Sequence, residues 1–588
     1  MFVYLQNNSE RIYRLVMFLI CGCIVIWSLS YRLWDKPGLW FGDEFGYFAS
    51  AAYVTGFDWS SLVSEQLGYY GIGYGLFLIP GFLICKSADG LMGYTVILNV
   101  FFSFISYNLC CRLLWKINNR NSFGLCCLAS MIATLYINNI VQIHMGWSES
   151  INIMIYWLIL NAFSNVIEKS RIVDYVVFSV VLSYAVIIHM RNVLFAVAGV
   201  LVLIIYLLKE KKFDYKKLII FGCVALAGAG IFFISKMLVQ NTVWVSGEEI
   251  LVNDVSSVVS NFHVIGHYST LVDWMKSFLC KLFYIITSTF GLIVCGSIYG
   301  FSQKRNYIFY LAFIGCFLEF IYTVYSMQIS TRYDAIYYGR YYEPFIGLII
   351  CYSIFFLFDL SMGKRKILLA CIAVLTLYKI CFIVAENMNT TIISYGDSTG
   401  AIFPCMSGIA KYIFQKGVGR VPVSAFSDTI LYMAIIYGVV LISHMVTKRN
   451  SINTVALIFF LIIIIGVWKE SSEDVIDTMI AFEEERYDDV YPVYDALNIT
   501  WKENGNTDIY YYSSGDYSSY VLDLQLLIGR ESINSIGTLS KIDCSSKNNI
   551  YIVLMKTDSL YESQKQEVLQ DGELLVETDM MTMFVYNK

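Results

Sequence analysis

Apolar runs of membrane-crossing length recur throughout this 588-residue chain, and nothing else in it limits the fold so severely. A bilayer core takes roughly 17–25 mainly apolar residues per helix, and in lipid each backbone polar group has to find its partner within the segment. Helical spans are expected near 14–31, 92–112, 121–141, 149–168, 172–188, 193–208, 218–238, 277–300, 307–327, 344–360, 367–386, 428–446 and 452–469, thirteen in all. Only 15% of the residues are charged, against about 25% in soluble domains. The chain reads as a polytopic α-helical membrane protein. Residues 73–85 are also apolar but short and contain Pro80; they are expected to form an interfacial or re-entrant helix.

Lys and Arg collect on the cytoplasmic side of membrane proteins. Seven short basic clusters, from Arg11/Arg14 through Lys209–Lys217 to Lys448/Arg449, fall on one side of the thirteen-span arrangement. The N-terminus is therefore expected in the cytoplasm. Segments 32–91, 142–148, 189–192, 239–276, 328–343 and 387–427 are expected outside, with the C-terminal tail. The first apolar run has no A-x-A-like cleavage site after it and reads as an uncleaved anchor. From Glu470 onward there are 23 acidic and 8 basic residues, whereas the preceding 469 carry 33 basic and 23 acidic. A basic membrane domain, 1–469, is thus followed by an acidic tail domain, 470–588, and nucleic acid is not an expected partner.

Within the tail, Asp508–Ser513 and Asn549–Met555 read as short buried strands, Tyr520–Ile528 and Leu560–Leu569 as helices, and Leu574–Tyr586 as a final strand pair. That is a small α/β domain. Most of the 16 cysteines lie in apolar runs as small buried hydrophobes, only Cys405 and Cys544 falling in polar segments, and no disulfide framework is legible.

The long first loop opens on two adjacent carboxylates, Asp43 and Glu44, which either cap a short helix starting near Phe45 or act as a general base or metal ligand. Its far end, Tyr69 to Pro80, is rich in Tyr and Gly; Tyr69 and Tyr70 are candidate substrate contacts, and Gly71, Gly73 and Gly75 read as loop flexibility. His144 and Glu149 stand in the HMGWSES turn before the fourth span, where Ser148 offers an N-cap and Glu149 a second carboxylate on the same face. His189 and Arg191 lie in a very short outer turn, suited either to snorkelling or to an anionic substrate. Arg340 and Tyr341, in YYGRYYEP, offer a forked cation and an aromatic wall, with Glu343 as a counter-charge for Arg340. His263 and His267 have i,i+4 spacing but no evident third ligand. The topology brings Asp43, Glu149, Arg191 and Arg340 to one membrane face. Two carboxylates and two guanidiniums there suit a reaction on a lipid-linked phosphate, an acid taking the acceptor proton and the arginines stabilising the departing phosphate.

Gly42-Asp43-Glu44, Tyr69–Pro80, Ser148-Glu149, and Gly339-Arg340-Tyr341 with Pro344, set in thirteen spans and an outer C-terminal domain, resemble the GT-C superfamily of polyprenyl-phosphate-sugar glycosyltransferases, such as protein O-mannosyltransferases and the lipid A aminoarabinose transferase. The resemblance covers the membrane half; the tail matches no family domain. It implies a GT-C-like fold with a small extracytoplasmic α/β domain. It also implies a bacterial plasma-membrane enzyme moving a sugar from a polyprenyl-phosphate donor to an envelope glycan, lipid or protein, usually with inversion. Asp43 would be the base or would hold a divalent cation (Mg, Mn or Zn), with Glu149 as the second acid and metal ligand and Arg340 on the donor phosphate. A polysaccharide polymerase or ligase is an alternative that needs no Asp-Glu pair. A lipid or glycan flippase would instead need charged residues near the bilayer midplane and paired broken helices.

Overall fold

The computed structural model describes residues 42–67, 70–117, 123–244, 270–326, 336–358, 364–393, 429–446, 450–504, 507–515, 518–542 and 549–586, with isolated positions such as Gly38 and Leu39. Tyr69, His263, His267, Cys405, Cys544 and nearly all of the expected span 14–31 lie outside these residues.

The chain runs α1 (Gly42–Val54), α2 (Ser60–Gln66), α3 (Ile72–Ile84), α4 (Ala88–Ile117), α5 (Phe123–Thr134), α6 (Ile137–Ile143), α7 (Glu149–Glu168), α8 (Ile172–Ile188) and α9 (Val193–Lys209). It continues through α10 (Tyr215–Thr242), α11 (Leu271–Ser288), α12 (Leu292–Ser302), α13 (Tyr307–Ser326), α14 (Gly347–Phe358), α15 (Lys364–Ile393), α16 (Thr429–Val446) and α17 (Asn450–Asn504). Every expected span within the described residues falls on one or two of these helices.

Among the described residues, six helices are long and apolar enough to cross a membrane, or eight if each of two bent pairs counts once. Of the expected spans outside that number, 172–188 and 344–360 fall on α8 and α14, which are apolar but short, and nearly all of 14–31 lies outside the described residues. Bends, moreover, leave no mark on an apolar run: α5 meets α6 at 61°, and α11 meets α12 at 94°. The second bend lies inside the expected span 277–300, at Phe290 and Gly291, which both have positive φ. It leaves Ser288 beside the site described below.

Helix α3 is the short apolar helix expected at 73–85, and it packs on α1. Its glycines answer to close packing rather than to loop flexibility. A Cβ on Gly73 would stand 2.6 Å from Ile188 Cα, and one on Gly71 2.6 Å from the Ile187 carbonyl oxygen. The backbone of α3 therefore lies directly on the end of α8.

The tail is an α/β unit of β1 (Thr507–Tyr512), α18 (Ser519–Ile528), β2 (Ile533–Ile536), β3 (Asn549–Met555), α19 (Tyr561–Val568), β4 (Gly572–Glu577) and β5 (Met581–Tyr586). The sheet order is β2-β1-β3-β5-β4; β1 is parallel to β2 and β3, and β5 is antiparallel to β3 and β4. Side chains alternate between the faces of a strand, and both faces here are apolar. Ile509, Tyr511, Tyr551, Val553 and Met583 join the core that includes Val490, Val493 and Leu497 of α17. Tyr510, Tyr512, Ile550, Ile552 and Phe584 form a second core with Tyr561 and Val568 of α19. Position 470 falls inside α17, so no loop separates the helices from the helix that carries the sheet.

The tail grips the first loop. The Leu39 amide donates to Asp523 Oδ1 at 2.8 Å, and Arg486 pairs with Asp523 at 3.2 Å while donating to the Leu39 carbonyl. Trp59 Nε1 donates to the Gly529 carbonyl at 2.8 Å, and the Ser535 amide to Ser61 Oγ at 2.8 Å. The Trp59 ring stacks on Phe45, with centroids 4.8 Å apart. The tail thus bears on α1 two residues from Asp43.

Candidate active site

Asp43 and Glu44 occupy the first turn of α1, where carboxylates suit the positive helix end. Successive helical residues point about 100° apart, so the pair divides. Glu44 is buried and its Oε2 accepts from the Gly146 amide at 2.6 Å. It holds the turn before α7. Asp43 Oδ1 accepts from Tyr70 Oη at 2.6 Å, and Oδ2 from Arg340 Nη1 at 2.9 Å. Burial and the Asp43 carboxylate push the Tyr70 hydroxyl well up, so it stays a donor.

Glu149 opens α7, and its side chain is fully buried, while that of Asp43 is 35% exposed. Glu149 Oε1 accepts from Arg340 Nε at 2.6 Å and from Arg191 Nη2 at 2.7 Å. Ser148 does not cap α7 with its side chain; its Oγ meets Tyr47 Oη at 2.8 Å. The turn ahead is fixed by Asn99, whose Nδ2 donates to the Ile143 and Met145 carbonyls at 3.1 and 2.7 Å.

Arg191 stands in a 3-10 turn, Met190–Asn192. His189 Nδ1 accepts from the Arg191 amide at 3.2 Å, and burial followed by the Arg191 charge keeps that imidazole neutral. His189 therefore braces Arg191. The Arg191 guanidinium lies 4.8 Å from the Tyr341 ring centroid, and its Nε and Nη1 have no hydrogen-bond partner among the described residues. Arg340 lies 3.4 Å from the Trp147 ring centroid. Burial works against its charge, but Glu149, Tyr338 and Asp43 outweigh that and push its proton affinity up. His144 is buried at the end of α6.

The structure therefore gathers Asp43, Tyr70, Glu149, Arg191, Arg340 and Tyr341 from four separate stretches of chain. The roles open to Asp43 and Glu149 are now distinguishable. Buried Glu149 is the common counter-ion of two arginines, and Asp43 is the acid on the accessible side. The pair is a poor cradle for a divalent cation, because both carboxylates already face guanidiniums, which would repel it. No group of three His, Cys, Asp or Glu residues with metal-binding geometry occurs among the described residues.

Glu343 does not neutralise Arg340. Its Oε1 accepts from Tyr136 Oη and Tyr284 Oη, both at 2.6 Å. Burial pushes its carboxyl up to about 7 against the pull of the two phenols. Between the ordinary carboxyl value and about 7, the folded chain keeps a proton that the unfolded chain has released. Stability should fall as pH rises through that window and level off above it, by on the order of 3 kcal/mol. Thermal unfolding in detergent between pH 4.5 and 8 checks this, and Glu343→Gln should lack that component of the pH dependence.

Several buried groups escape a reading of the sequence. Trp147 was in view within HMGWSES, but a ring beneath a cation has no sequence signature. Glu319 is buried inside α13, and Lys281 inside α11 donates to Ser277 Oγ at 2.9 Å and to the Ile336 carbonyl at 3.3 Å. An ionisable residue inside an apolar run is the signal that could have found both.

Helices carry a first-loop acid and a second acid at a helix start, and a small α/β unit lies beyond them. The same fold is seen in ArnT from Cupriavidus metallidurans bound to undecaprenyl phosphate, which aligns over 97% of each chain with a TM-score of 0.56 at 11% identity. The apo form of that ArnT aligns over 97% of each chain with a TM-score of 0.52 at 10% identity. No protein-family model matches the sequence, and no curated protein matches it.

Proposed function

We propose that this chain is an integral-membrane glycosyltransferase that moves a sugar from a polyprenyl-phosphate donor to an envelope glycan, lipid or protein at the outer face of the plasma membrane. One observation carries the reading: an accessible carboxylate and two arginines share one cluster, in a chain whose fold aligns end to end with an ArnT bound to undecaprenyl phosphate.

The acceptor hydroxyl attacks the anomeric carbon, and its proton passes to Asp43. The bond from that carbon to the phosphate oxygen breaks, and polyprenyl phosphate leaves with the electron pair. Attack opposite the leaving group inverts the centre. Charge grows on the phosphate as it departs, and fixed guanidiniums meet it at little reorganisation cost. Arg340 keeps its Nε bond to Glu149 and turns Nη1 from Asp43 toward phosphate. That turn frees Asp43 Oδ2 to accept from the acceptor hydroxyl. The unpaired Nε and Nη1 of Arg191 supply further donors to phosphate oxygens.

A transfer assay on the purified full chain in nanodiscs tests this, with labelled polyprenyl-monophosphate sugars, nucleotide sugars, and envelope extract as acceptor. Label should move only from a lipid-phosphate sugar and depend on Asp43. Transfer from nucleotide sugars, or translocation of a lipid-linked sugar without transfer, would overturn the reading.

A further inference from the structure

We propose that Glu343 is a positioning residue, the anchor that sets Arg340 between Asp43 and Glu149. Arg340 sits in a tight turn in which the amides of Tyr342 and Glu343 both donate to the Gly339 carbonyl at 3.1 Å. The two ends of that turn are fixed to the same side chain. A Cβ on Gly339 would stand 2.0 Å from Tyr284 Cε1, so only glycine lets the Tyr284 ring lie there. Tyr284 Oη then reaches Glu343 Oε1 at 2.6 Å.

The same oxygen accepts from Tyr136 Oη at 2.6 Å, and Tyr136 stands at the bend between α5 and α6. Tyr136 Oη also lies 2.9 Å from Ser288 Oγ at the end of α11, and the Tyr136 ring meets Trp468 of α17 edge-on at 5.4 Å. Glu343 thus binds the arginine turn to α11 and to the α5–α6 bend, with α17 behind. Arg340 itself reaches outward from the turn. Its guanidinium contacts Trp147, Glu149 and Asp43, none of which belongs to the anchoring elements, and Nη1 also donates to Tyr338 Oη at 3.4 Å. The guanidinium position is therefore set by where the turn is held. A loss of about 1 Å in such placement costs roughly 100-fold in rate.

Glu343 Oε2 has no hydrogen-bond partner among the described residues. An amide can therefore replace the carboxyl and keep both phenol bonds through its oxygen, whereas alanine removes both. The test uses the full chain in nanodiscs. The emission of Trp147 is isolated as the difference between each variant and the same variant carrying Trp147→Phe. It reads the guanidinium over the ring without any substrate.

Glu343→Ala should shift that emission and raise acrylamide quenching. Glu343→Gln should restore both, and Tyr284→Phe should give an intermediate shift. In turnover, which rests on the proposed function, Glu343→Ala should raise the donor KM about tenfold or more and leave the acceptor KM unchanged, with Glu343→Gln again restoring it. Trp147 emission unaltered in both Glu343→Ala and Tyr284→Phe overturns the proposal. So does a Glu343→Gln variant that is folded yet shifted as far as alanine. Should Glu343→Ala not fold, Tyr284→Phe and Glu343→Gln decide on emission alone. Should no lipid-phosphate sugar be turned over, the glycosyltransferase reading fails while the emission still decides this one.

Discussion

Asp43→Asn should reduce sugar transfer by about 100- to 10,000-fold, the range expected when a general base is removed. Expression, membrane insertion and thermal stability should stay near wild type. Asparagine keeps the shape: its Oδ1 can still accept from Arg340 while its Nδ2 donates to Tyr70 Oη, which accepts in turn, so the local frame survives. It cannot take a proton from an acceptor hydroxyl. The loss should therefore appear in kcat, with donor KM little changed. The measurement is steady-state transfer with a saturating lipid-phosphate sugar. Wild-type turnover in this variant would remove Asp43 from the chemistry and leave it as a partner of Arg340.

Arg340→Ala should be costly in two separable ways. Glu149 is fully buried and shares one oxygen between Arg340 and Arg191. Removing one partner of a buried ion pair costs about 3–5 kcal/mol, here softened because Arg191 stays. Thermal stability should fall visibly. The donor KM should rise well beyond the acceptor KM, since the fork that would meet phosphate is gone. Arg340→Lys discriminates further. Lysine keeps the charge, but a single ammonium cannot reproduce the separate Nε and Nη1 contacts to Glu149 and Asp43. Lysine should recover most of the stability and little of the donor affinity. Equal losses on donor and acceptor in the alanine variant would argue against a phosphate contact.

The apolar runs carried the helices, because a segment that must pair its own backbone in lipid has little choice of form. Four of the five tail strands were legible by composition, and their alternation matches two cores, whereas β2 was not expected. What composition hides is direction. The 94° turn after Ser288 falls within one apolar stretch, so the residues that approach Glu343 could not be foreseen. Asp43 and Glu44 were read together as neighbours in sequence, yet one helical step sends one to Arg340 and the other to Gly146. Arg340 and Glu343 look like an ion pair three residues apart, yet the tight turn points them to different partners. The convergence of Asp43, Glu149, Arg191 and Arg340 was legible because opposite charges at one end of several helices have few alternatives when buried. The grip of the tail on the first loop was not. It rests on single contacts such as Trp59 to the Gly529 carbonyl, which no pattern announces.

Helix α17 continues without a loop from Asn450 to Asn504, carrying Trp468 beside the Glu343 anchor and Arg486 beside the first loop. A rod of this kind transmits phase. One residue inserted after Ser472 would rotate everything beyond it by about 100° and advance it by about 1.5 Å, turning Arg486 away from Asp523. Tail exchanges between related chains should therefore succeed only in whole-turn increments, and a flexible linker placed there would uncouple the sheet from the Arg340 cluster altogether.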